Sequence, residues 1–105
     1  MANIIAVIWD CDKTLVDGYM QDPIFKDYGI DPHEFWTENN RRIKEYEQLG
    51  IRINHDTYYL NHFIQCAHNS TMPGLDNAKL RAYGKKQKFY KGIPEFFKKT
   101  KQMFK

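Results

Sequence analysis

Cysteine is scarce in this chain: there are two in 105 residues, Cys11 and Cys66. Two thiols at no framework spacing exclude a disulfide-stapled secreted domain, and no bridge between them is expected. Long apolar runs are also missing. The longest, Ile4–Trp9, stops at Asp10, far short of the roughly 18 residues that a membrane span requires. No basic start leads into a longer apolar region with a small-residue cleavage site, so no signal peptide is read and the expected compartment is the cytoplasm. Arginine is absent from Lys85 to Lys105, a stretch of eight lysines and one acid, Glu95. That stretch carries no nucleic-acid motif, and lysines on the wet side of an amphipathic helix are ordinary, so the net charge of +3 does not argue for a nucleic-acid partner. Internal repeats and low-complexity segments are lacking too.

What is present suits a single folded domain. Hydrophobic residues make up 42% of the chain and aromatics 15%, enough for a core in a chain too short for two ordinary domains. Ile4–Trp9 is apolar at every position and rich in β-branched side chains, which predicts a strand buried on both faces. Helices follow. Asp31-Pro32-His33-Glu34 places a capping acid, a proline at the first helical position and a second acid at the third, predicting a helix that ends at Gly50. Asn54 or Asp56 can cap the next, with Tyr59, Phe63, Cys66 and Ala67 as its apolar stripe up to Asn69-Ser70-Thr71. Pro73-Gly74 predicts a turn, residues 76–86 a further helix, and Pro94 the opening of a last one. A strand apolar on both faces needs neighbours, yet no second strand of comparable quality exists; Gly50–Asn54 is short and half polar.

Asp10 and Asp12 stand two apart directly after the apolar run. Carboxylates this close repel, which favours a shared proton or a divalent cation, and an oxygen-rich site suits magnesium. One carboxylate could then attack the phosphorus of a phosphorylated substrate while the other protonates the leaving oxygen. Thr14 and the backbone N–H groups of the loop could hold phosphate oxygens.

The run Ile-Ile-Ala-Val-Ile-Trp-Asp-Cys-Asp-Lys-Thr-Leu resembles the first motif of the haloacid dehalogenase superfamily, Tyr90-Lys91-Gly92-Ile93-Pro94 resembles the return of its chain from a helical cap, and Gly18-Tyr19-Met20-Gln21-Asp22-Pro23 resembles the linker of one bacterial subgroup of these hydrolases. The resemblance implies a magnesium-dependent phosphatase acting on a small phosphorylated metabolite through an aspartyl-phosphate. Asp10 would be nucleophile and metal ligand, Asp12 acid/base and metal ligand, with Thr14 and Cys11 in the phosphate-binding loop. It implies an α/β complete protein in which residues 1–15 are the first core strand and motif loop, 16–87 a helical cap, and 88–105 the return turn and first core helix. The superfamily's later motifs, a Ser or Thr, a Lys and an acidic pair, match no residue of this chain, so the chain alone is expected to be mostly helical and inactive.

Other patterns are read more plainly. His62, Cys66 and His68 lack a second pair at zinc spacing and are expected in core or surface roles. Trp36, Tyr58, Tyr59 and Phe63 are expected to pack helices, and Cys11 to pack as a small apolar side chain. The alternative to an enzyme is a non-catalytic helical protein that binds a partner or self-associates, with a homodimer covering the unpaired strand.

Overall fold

The structure, a computed structural model, describes residues 3–104. Five helices and no strand occur among them: α1 (Asp22–Tyr28), α2 (Pro32–Gln48), α3 (Tyr58–His68), α4 (Asn77–Lys85) and α5 (Ile93–Met103).

Local chemistry accounts for most of these boundaries. The Asp31 carboxylate accepts from the His33 N–H at 2.9 Å and opens α2, satisfying one of the amides that a helix start leaves without a partner. Beyond α2 the chain reverses at Gly50, in the left-handed region with φ 79°, and the Ile51 N–H returns to the Tyr46 carbonyl at 3.0 Å. Asp76 caps α4 by accepting from the Lys79 N–H at 2.8 Å. Neither candidate cap of α3 acts as one: Asn54 accepts from the Asp56 N–H in a turn, and Thr57 takes the cap position without a side-chain bond.

Helix α1 begins at the end of Gly18–Pro23, the stretch that resembles a linker, and runs on to Tyr28. Its signals are short but legible: Asp22 and Pro23 sit in the first turn, and Gly29, at φ 65°, ends it. The seven residues deliver Ile24 and Phe25 to the core. That core gathers Ile24, Phe25, Phe35, Cys66, Met72 and Tyr83, with Tyr28, Trp36, Tyr59 and Phe63 packed around it. Phe35 is its hub. Its ring lies 4.9 Å from Phe25, 5.0 Å from Phe63 and 4.2 Å from His62. Helices α2 and α3 form the most extensive pairing.

The predicted strand does not form. Residues 3–11 have no regular secondary structure, and no backbone hydrogen bond to Ile4–Trp9 occurs among the described residues. The physical reason is the one the sequence exposes: a strand exists by pairing, and no other described segment offers an edge. Two passes of chain do meet nearby. The Asp17 N–H donates to the Lys88 carbonyl at 2.7 Å and the Tyr90 N–H to the Leu15 carbonyl at 3.0 Å, flanking an isolated antiparallel bridge between Val16 and Phe89. Beyond this junction, α5 buries none of its residues and meets Ile4–Trp9 through Trp9, whose ring lies 5.8 Å from Phe96 and 5.6 Å from Phe97. The molecule is therefore elongated, 52 × 33 × 23 Å. Its radius of gyration is 18.0 Å, against about 13 Å for a compact domain of this size. Among the described residues no helix is long and apolar enough to cross a membrane.

Candidate functional sites

The loop after Trp9 folds around one carbonyl. Cys11 accepts from the N–H groups of Thr14, Leu15 and Val16 at 3.1, 2.9 and 3.2 Å, while Lys13 sits at φ 58° and its N–H donates to the Gly18 carbonyl at 3.0 Å. Within this turn the Thr14 hydroxyl donates to Asp10 Oδ2 at 3.0 Å, and Asp12 Oδ1 accepts from the Met20 N–H at 3.1 Å. The two carboxylates thus have separate partners, one inside the turn and one in the entry to α1. Asp10 is exposed and Asp12 half-buried. Asp12 is also close enough to Tyr59 to add to the rise that burial gives the Tyr59 hydroxyl. Cys11 is exposed here, not packed, because a loop held together by its own carbonyl leaves the side chain outside. Among the described residues, no three His, Cys, Asp or Glu side chains gather as metal ligands.

A second surface lies on Ile4–Trp9 and α5. Exposure along the segment alternates: Ile4 and Ile8 are 94% exposed, whereas Ile5, Val7 and Trp9 fall to 73%, 63% and 42%. Trp9 itself packs on Phe96 and Phe97 of α5, while Ile4 and Ile8 face water. Phe96 and Phe104 extend the apolar area along α5.

The third feature is a groove of about 680 Å³ between α1, α3 and α4, walled by Met20, Leu60, Ile64 and Leu80, with Phe63 and Tyr83 also lining it. The Tyr83 hydroxyl donates to Asp27 at 2.5 Å, and that bond, with burial, holds its proton well above the usual phenol range.

The aromatic and zinc-spaced residues divide by helix face. Tyr58, His62 and Cys66 form the buried side of α3, whereas Tyr59 and Phe63 are half-buried, so the stripe is rotated one residue from the one read in the sequence. His68 is exposed and lines the groove. Burial and the Arg42 guanidinium push His62 below its ordinary value, and burial pushes the Cys66 thiol up. On α2, hydrogen bonds from Arg41 and Arg42 hold the Glu38 carboxyl down at about 2.

No family model matches the chain. An uncharacterized protein of Borreliella burgdorferi is 36% identical over 96 residues, a match that covers 90% of this chain and 34% of the relative. The chain thus spans about a third of the length of the curated relative it matches. No solved structure matches.

These findings overturn the haloacid dehalogenase resemblance. No model of that superfamily matches, and Ile4–Trp9, whose strand character carried the likeness, pairs with no other described segment and leads into a self-bonded turn. The roles that the resemblance implied for Asp10, Asp12, Thr14 and Cys11, and for magnesium, lose that support. The contact of Trp9 with Phe96 and Phe97 is not legible in the sequence, because its partners lie almost the whole chain apart. The only signal for it was the aromatic pair on the apolar side of α5.

Proposed function

We propose that this chain is a non-catalytic helical module that associates with a second copy of itself through Ile4–Trp9 and the neighbouring face of α5. The carrying observation is the six-residue apolar segment, whose backbone has no hydrogen-bond partner among the described residues and whose Ile4 and Ile8 are 94% exposed. Apolar burial alone would be met by any greasy surface, but amide and carbonyl groups in such a segment also need partners once water is excluded. A strand edge meets both needs, and a second copy supplies an identical one.

Burying Ile5 and Val7 of both copies, four side chains at roughly 1.5–3 kcal/mol each, contributes about 6–12 kcal/mol gross. Association costs about 4–15 kcal/mol in lost translational and rotational freedom. The two are of similar size, so association is expected to depend on concentration, and sedimentation equilibrium from low to high micromolar is the test. The apparent mass should climb from the 12.6 kDa of one chain toward twice that value, and the double variant Ile5→Asp, Ile8→Asp should stay at one chain throughout. A wild-type protein that remains at the single-chain mass over the whole range refutes self-association.

One observation favours a second reading. A two-stranded ribbon would leave the Ile4 and Ile8 side uncovered, and the relative is about three times as long as the matched stretch. A wider sheet from a partner polypeptide would cover both faces. Capture of the wild-type chain, but not the double variant, by the unmatched portion of the Borreliella burgdorferi relative would favour it.

A further inference from the structure

The contact between α2 and α3 carries a titratable ring at its centre. His62 is 3% exposed and lies flat against Phe35, with centroids 4.2 Å apart and planes 9° from parallel. Its Nδ1 has no hydrogen-bond partner among the described residues, and neither do Asn39 Oδ1 on α2 or the Tyr58 hydroxyl on α3, so no acceptor is bonded to the ring nitrogen. On the facing helix, Asn39 is 2% exposed and lies one turn from Phe35, which closes the layer against solvent.

We propose that His62 makes the α2–α3 contact an acid-sensitive clasp, closed while the imidazole is neutral and opened when the ring takes a proton.

The charged groups that bear on the ring are both on α2. Arg42 opposes a second cation, and Glu38 favours it but is already hydrogen-bonded to Arg41 and Arg42. On its own helix the ring is flanked by Tyr58 and Cys66, both neutral at acid pH because burial raises them. A protonated ring would therefore sit desolvated, beside a guanidinium, with its positive charge uncompensated. Opening relieves this by hydrating the ring, and it uncovers Phe35 and Cys66.

The direction of the effect follows from linkage. His62 is held below its free value, so the open form binds more protons than the closed one between the two values. Closure is then strongest above about 6.5 and weakens as pH falls, by up to tenfold per unit, until the folded value is passed.

Cys66 reports the opening. In a Cys11→Ser background, which removes the exposed thiol, the labelling rate of Cys66 by a dithiodipyridine is measured from pH 8 to pH 4 and divided by the rate in denaturant. The normalised rate should rise below about pH 6.5 and should stay flat between pH 6.5 and pH 5 in His62→Phe, which keeps the ring stack without the titration. Equal profiles for the two proteins would overturn the clasp. An NMR titration of the His62 ring in the unmutated chain decides the matter even where His62→Phe does not fold: a midpoint below the free-histidine value is expected, and one at or above it overturns the proposal.

Discussion

Glu38 shows how one residue can hold several others without being buried. Its carboxylate accepts from Arg42 at 2.9 Å and from Arg41 at 2.6 and 2.8 Å, bonds three and four residues along α2. Because its folded value is held near 2, below the ordinary 4.5, it binds fewer protons folded than unfolded between those values. Its support is therefore complete above about pH 4.5 and is lost as pH falls toward 2. Far-UV circular dichroism with thermal melts should show the wild type losing stability through this acid window and Glu38→Gln losing less. The window is separate from that of His62, which opens below about 6.5. Such spacing on a predicted helix is legible in sequence, as is the Asp31 cap. Met72 was not legible. It sits in a polar stretch between a helix stop and a turn, yet it is fully buried, because the chain folds back there and the Met72 N–H donates to the Cys66 carbonyl at 2.9 Å.

At the scale of elements, capping separates helices that stand on local chemistry from those that stand on packing. Helix α2 has a side-chain cap and α3 has none, although both bury one face of the same contact. Asp31→Ala should therefore cost about 1 kcal/mol in urea unfolding, with Asp31→Asn restoring most of it. Thr57→Ala should change stability by less than about 0.5 kcal/mol, since its hydroxyl makes no capping bond. A larger loss at Thr57 than at Asp31 would contradict this assignment. The same division explains what the sequence disclosed. Asp31-Pro32, Asp76 and Pro94 mark helix starts to within about a residue, because caps and prolines act locally. The strand at Ile4–Trp9 was misread because strand formation is decided by a neighbour, which periodicity does not reveal. The buried face of α3 is offset from the stripe read in the sequence because apolar residues surround much of that helix, and Phe35 packs against both His62 and Phe63, so the core reaches round to Tyr58, His62 and Cys66.

For the whole molecule, the question is whether the association surface belongs to the folding unit. Every residue of the main core lies between Ile24 and Tyr83. The flanking chain joins it at the Val16–Phe89 bridge, and beyond that bridge Trp9 touches only α5 among its aromatic contacts. A chain trimmed to residues 15–90 keeps the bridge, the core and the α2–α3 contact while removing Ile4–Trp9 and α5. It should unfold cooperatively with a midpoint within about 5 °C of the full chain measured at low micromolar concentration. At high concentration the two should part. The full chain gains stability from association by mass action, so its midpoint rises with concentration, whereas the trimmed chain has no pairing surface and its midpoint stays constant. If the trimmed chain lost its cooperative transition, Ile4–Trp9 and α5 would be part of what holds the helices together, and their exposure would no longer point to a partner. If both midpoints rose alike, the association surface would lie elsewhere, with the apolar groove between α1, α3 and α4 as the next surface to test.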